Sequence, residues 1–384
     1  TGFSLSWKDT QDGVSTSDTV DVRVFAIEMV HVPTGSFFAG DYATSASAFQ
    51  QGSSDTDPWY IGSESAITTG TQAGSGAGVG ETNSEYRYVS YGSSGEDSSG
   101  AIFTIPAEFP KGYKKFYIMK GEISQYQWVW FFNTLTTTQK STRDITSSVN
   151  SGKNQDSPPL YRNNVSWVSG DATLPDQGGG ATYGTVAMNY LSWADITAYL
   201  DWAGLRPMSE LEFERAARGP YRAVAGEYAW GDSSITGATS ISNGGKSSEV
   251  PGAAANCVYN DAAGVQGPMR VGAMASGDAT RIESGAGYYG AMDLSGNLWE
   301  RPVTVGNATG RALNGSLHGN GTLDSNGDGN VTTWPATDAV GAGLRGGRWN
   351  GSSLIARLSD RSRAALTASG RGTSYGGRGV RTAP

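Results

Sequence analysis

The chain has 384 residues, a net charge of −8, 55 glycines, two histidines and one cysteine, Cys257. A lone cysteine excludes an intrachain disulfide framework and a cysteine-rich zinc module, and His31 and His318 leave almost no material for a histidine metal site or a Ser-His-Asp triad. No apolar run is long enough to span a membrane as a helix, and 11 Trp, 18 Tyr and 11 Phe can build a core despite the glycine.

Alternation predicts strands at 2–7 and 20–32, followed by a turn at Pro33-Thr34-Gly35 and an extended Ser36–Gly40. Residues 41–100 are rich in Ser, Gly, Thr and Asp and read as a long insertion with a short hairpin near 86–91. Its aromatics, Trp59, Tyr60, Tyr86 and Tyr88, suit stacking on sugars or peptides and suit core packing better. Extended pieces return at Phe103–Pro106 and Phe116–Met119. A helix is expected over Glu122–Leu135, with Ile123, Tyr126, Val129, Trp130 and Phe132 on its buried face. After a polar stretch at 136–180, two capping boxes announce helices: Ser192 with Asp195, and Ser209 with Glu212. A polar loop at 231–250 and short apolar pieces between glycine turns complete the chain, which shows no tandem repeat. The division is an N-terminal extension at 1–28 and one domain at 29–384, carrying the 41–100 insertion.

Glu210, Glu212 and Glu214 alternate on a predicted helix, where i and i+2 do not face each other, so no catalytic carboxylate pair is expected; Glu212 serves the cap. Asp324, Asn326, Asp328 and Asn330 have the spacing of the first half of an EF-hand loop. Pro335 replaces the bidentate glutamate, which favours an Asx-rich turn over a calcium site. Residues 344–384 carry eight arginines, no lysine and one acid, Asp360. Such a tail suits an anionic partner, and suits internal pairing with the acids of the remaining chain better.

Several blocks, in order, resemble the formylglycine-generating-enzyme (sulfatase-modifying factor) family. They are Val30–Gly40, Lys120–Tyr126, Val186–Arg218, Ala229-Trp230-Gly231, Gly290–Glu300, Arg345–Trp349, Arg357, Arg361 and Gly379–Arg381. The resemblance implies an α+β chain with an irregular C-type-lectin-like fold, few short helices and strands, and long loops. It also implies an enzyme that needs two cysteines five residues apart, binding copper and the substrate thiol. Here Gly351 and Ala356 occupy that neighbourhood, and a thiolate is what the chemistry requires. Relatives with a histidine/glutamate iron site need more histidines than this chain has. Asn297 and Glu300 stand where the family has ligands of a structural calcium, with Arg301 replacing its second tryptophan.

The same fold is used by the variable proteins of diversity-generating retroelements, and the chain resembles them in its last stretch, about 345–381. The resemblance implies side chains varied by adenine randomisation in AAC codons, which cannot yield Lys, Glu, Gln, Met or Trp. These five types make up 50 of the 384 residues, so about four are expected in the 32 positions 350–381, and none occurs. The implied contact residues are Arg348, Asn350, Ser352, Leu354, Leu366, Thr367, Ser369, Arg371, Thr373 and Tyr375, with Arg371 and Tyr375 as anchors. Trp349, Arg357, Arg361, Gly379 and Arg381 match scaffold positions. The expectation is a non-enzymatic ligand-binding protein without a required cofactor, structural calcium aside. It would meet a protein or cell-surface ligand, without nucleic acid or a membrane span, at a bacterial surface, outside the cell or on a phage particle. The competing expectations are a family enzyme with a non-cysteine site and a structural or accessory domain.

Overall fold

A computed structural model of the chain describes residues 15, 17–19, 24–42, 44–52, 57–70, 86–148, 151–153 and 160–384. The expected strand at 2–7 and the start of the one at 20–32 lie outside the described residues. The second strand is confined to Met29–Val32, which pairs antiparallel with Phe116–Met119 (Met29 opposite Met119). Val380–Thr382 pairs antiparallel with the other edge of Phe116–Met119, so the middle strand of this three-stranded sheet is flanked by pieces from opposite ends of the domain.

The insertion is knitted by strands too short for alternation to reveal. Phe37–Ala39 pairs with Trp59–Ile61, Gln50–Gln51 with Tyr86–Arg87, and Ile67–Thr68 with Thr104–Ile105. The hairpin expected near 86–91 is thus replaced by a long-range pairing. Trp59, Tyr86 and Tyr88 are buried in the main apolar cluster, with the Trp59 and Phe49 ring centroids 4.3 Å apart.

The first helix is Gln125–Asn133, capped by Ser124 and Gln127. Its buried face is Gln125, Trp128, Phe131 and Phe132, while Tyr126 and Trp130 are 36% and 42% exposed. Of the expected face, Phe132 and Ile123, the latter lying before the cap, are buried and Val129 packs against the core, while Tyr126 and Trp130 turn outward. An unforeseen helix, Thr137–Arg143, follows with its own capping box at Thr136 and Gln139. The two expected boxes are present: Ser192 and Asp195 bond reciprocally at 3.0 and 2.9 Å, and Ser209 and Glu212 at 3.0 Å both ways. The helices they open, Trp193–Trp202 and Glu210–Arg218, are buried along almost their whole length. Among the described residues no helix is long and apolar enough to cross a membrane.

Candidate ligand-binding face

The buried helix Glu210–Arg218 holds carboxylates on its inner side, and the arginines of the C-terminal stretch come to them. Arg345 donates to Glu210 Oε2 at 3.0 Å and to Glu214 Oε1 at 2.6 Å, which the i, i+4 spacing of the two glutamates places side by side. Arg361 donates through Nε to Glu210 Oε2 at 2.7 Å and through Nη1 to the carbonyls of Ser47 and Val89. Burial raises the pKa of both carboxyls, but the Arg361 and Arg345 charges at Glu210, and those of Arg345 and Arg218 at Glu214, outweigh it and hold them below the ordinary range. Glu212 closes its cap and pairs with Arg206. Arg378 ion-pairs with the buried Glu300.

Arg371 requires a correction. It is buried rather than offered to a partner, with Nε 2.7 Å from Asp195 Oδ2 and Nη2 2.9 Å from Asp195 Oδ1. Asp195 also accepts from Arg143, and these guanidiniums override its burial to lower its pKa. Arg371 is a clamp between the C-terminal loops and the helix Trp193–Trp202.

The other expected contact residues reach the surface. Ser352, Leu354, Thr367 and Ser369 are exposed, Leu354 by 55%, while Arg348, Asn350, Leu366, Thr373 and Tyr375 are half-buried. Beneath them, Trp349 is buried and donates through Nε1 to the Thr373 carbonyl at 3.0 Å, a carbonyl that also accepts from Asn189. The segment 372–375 is further fixed by backbone bonds from Tyr190 to Gly372, Leu191 to Tyr375 and Trp299 to Ser374. Arg348 reaches Ser374 Oγ at 3.5 Å; its burial, with the charge of Arg363 nearby, lowers its pKa. These contacts set Thr373 on Trp349 and place Tyr375 and Arg363 within electrostatic reach of Arg348.

Two further residues join this face without having been expected. Tyr161 is 39% exposed and its ring lies 5.5 Å from that of Trp349. Arg301 is buried beneath Tyr375, its guanidinium carbon 5.3 Å from the Tyr375 ring centroid and 6.0 Å from that of Trp193. It donates through Nη2 to the Ala368 carbonyl, and burial lowers its pKa to about 10. Tyr161, Arg162 and Tyr190 all have positive φ (43°, 65° and 62°), so strained backbone borders the face. In the sequence the one available signal was Arg301 in place of a family tryptophan.

The family's chemistry does not fit these residues. Ala356 is fully buried against Gly347, where a Cβ on Gly347 would come within 2.8 Å of the Ala356 backbone, and Gly351 carries no side chain. Cys257 is buried with Sγ 3.2 Å from the Ser295 carbonyl, and burial, aided by the Asp293 charge, pushes its thiol well above the ordinary range. No copper-binding thiol pair is present. At the calcium position, Asn297 Oδ1 accepts from the Met269 N–H, Asn297 Nδ2 donates to Glu122, and Arg378 occupies Glu300. Among the described residues no group of three or more His, Cys, Asp or Glu side chains is arranged to hold a metal ion. In the loop 324–330, Asp324 Oδ1 accepts from the Asn326 and Asp328 N–H groups at 2.8 and 2.9 Å, which makes it an Asx turn.

Residues 88–383 match the family described as the sulfatase-modifying factor enzyme 1-like domain. Comparison with curated proteins gives no match. Among solved structures, the chain is similar to Treponema denticola variable protein 1, with 12% identity and a TM-score of 0.41 over 96% of this chain and 100% of that one. PvdO from Pseudomonas aeruginosa is similar at 15% identity and a TM-score of 0.41, covering 93% and 95%. CarF is similar at 12% identity and a TM-score of 0.38, covering 94% and 99%.

Proposed function

The chain belongs to the sulfatase-modifying factor enzyme 1-like family and has its irregular C-type-lectin-like α+β fold, and from that premise we propose that it recognises a ligand without performing the family's reaction. The observation that carries this reading is the division of labour within 345–381. Arg345, Arg361, Arg371 and Arg378 are buried on carboxylates and hold the loops. Nine of the ten expected contact positions lie half-buried or exposed above them. Side chains in such an arrangement change without refolding the backbone that presents them, which is what a diversified binding surface requires.

The absence of Lys, Glu, Gln, Met and Trp from 350–381 supports retroelement diversification of these codons. The partner is then a protein or cell-surface molecule that differs between variants, met at a bacterial surface, outside the cell or on a phage particle. No cofactor enters this reading. Sequencing the gene's neighbourhood tests it: a near-duplicate of the 3′ end differing at adenines, beside a reverse transcriptase, is expected. Its absence removes the diversification. Incubation with a cysteine-bearing sulfatase peptide and copper is expected to leave the cysteine unchanged, and formylglycine by mass spectrometry would overturn the non-enzymatic reading.

A further inference from the structure

Burying a charge that has no counter-charge is among the costlier arrangements in a fold. Arg301 is such a case: its side chain is buried, yet Nε and Nη1 have no hydrogen-bond partner among the described residues. The carboxylate whose charge reaches it, Asp195, is already committed. Its Oδ1 accepts from Arg143 and Arg371, and its Oδ2 from Arg371 and the Ser192 N–H. The contrast with Arg345, Arg361, Arg371 and Arg378, each seated on a carboxylate, is direct.

The guanidinium of Arg301 lies between two rings. On the inner side stands the fully buried Trp193; on the outer side stand the half-buried Tyr375 and the Ala368 carbonyl, in a loop whose Thr367 and Ser369 are exposed. We propose that Arg301 is a carboxylate-recognition site in the floor of the binding face: an aspartate, glutamate or C-terminal carboxylate of a protein ligand pairs with one of its two unpartnered donors, Nε or Nη1, which open on opposite edges of the guanidinium, as Tyr375 turns aside and then covers the pair. An arginine donor pairs with a carboxylate through a charge-assisted hydrogen bond, which is what the unpartnered nitrogens of Arg301 lack. This deepens the ligand-binding reading and rests on it.

Acetate is the probe, titrated into the full chain against chloride at matched ionic strength, with sulfate as the control for general salt stabilisation. At ten times its dissociation constant, acetate is expected to raise the melting temperature by about 2 °C in wild type beyond any general salt effect, whereas sulfate, excluded from any protein surface, shifts wild type and variants alike. Arg301→Trp, which carries the family's own residue, is expected to show no acetate shift. Should that variant not fold, Arg301→Lys keeps the charge but loses the flat donor array, and is expected to lose most of the shift. Equal acetate shifts in wild type and variant overturn the site, as does a wild type with no acetate shift. The latter result leaves the ligand-binding reading standing, because that reading is tested independently on the gene's 3′ end.

Discussion

Arg345 lies between Glu210 and Glu214 with no solvent contact, and its second nitrogen also serves the Leu358 carbonyl. Removing it leaves two buried carboxylates, one with Arg361 and one with Arg218 as its remaining charge partner. Arg345→Met is therefore expected to cost about 3–5 kcal/mol in urea unfolding, whereas Arg348→Ala, half-buried beside Ser374, stays within about 1 kcal/mol of wild type. Near-equal midpoints for the two variants would mean that burial does not separate their roles. His318 gives the residue scale its pH dependence. Burial, with the Arg206 and Arg381 charges, lowers its imidazole to about 4 from an ordinary 6.5, and its Nε2 accepts from the Thr382 N–H at 2.9 Å. The unfolded chain takes up this proton near 6.5 and the folded one only near 4, so the contribution is complete above 6.5 and is lost as pH falls toward 4. Unfolding midpoints measured across that window should fall more steeply for wild type than for His318→Gln; parallel slopes would remove His318 from the account.

At the scale of elements, the capping boxes do much of the local specification. Ser209 is buried, and besides its reciprocal bonds with Glu212 its hydroxyl donates to the Pro110 carbonyl at 2.6 Å. Thr136 makes the same box in an exposed setting. Ser209→Ala should cost about 2 kcal/mol and Thr136→Ala about 0.5 kcal/mol by denaturant unfolding, a reversal of that order being the result that contradicts the assignment. These boxes are also what made the helices at 193 and 210 legible in sequence, since a cap is a local signal read from four residues. The helix Thr137–Arg143 carried the same signal but no apolar face, and the polar stretch hid it. Strands of two residues offer no alternation, and the pairing of Gln50–Gln51 with Tyr86–Arg87 is set by packing across a long insertion rather than by either segment. The candidate face was legible as a stretch of chain but not as a set of partners. Composition counts arginines without saying which find carboxylates, so Arg371 reads as a surface anchor in the sequence and is a buried partner of Asp195 in the fold. The i, i+4 relation of Glu210 and Glu214 was the available sign of a shared cation.

Across the whole molecule, the charge imbalance between the C-terminal stretch and the preceding chain resolves into internal pairing at four of the eight arginines, Arg345, Arg361, Arg371 and Arg378. The basic tail and the acidic body meet in three buried clusters, at Glu210 and Glu214, at Asp195 and at Glu300, which pin the loops from below. Arg363 and Arg381 remain exposed, and Arg348 and Arg357 half-buried, so the surface is less basic than the sequence count implies. If the scaffold and the presented positions are energetically separate, changing the latter together should leave the fold almost untouched. The quadruple variant Ser352→Asp, Leu354→Asn, Thr367→Asp and Ser369→Tyr alters four exposed side chains, each of a kind that ordinarily shifts stability by no more than about 0.5 kcal/mol. Its melting temperature should stay within about 2 °C of wild type. Arg371→Ala alone strips Asp195 of its two-point partner, and a cost of about 3 kcal/mol corresponds to a drop of about 4 °C in a chain of this length. Calorimetry of the two proteins side by side decides the matter. A quadruple variant that melts as low as Arg371→Ala would show that the loop surface is part of the load on the fold, and a surface of that kind could not be diversified.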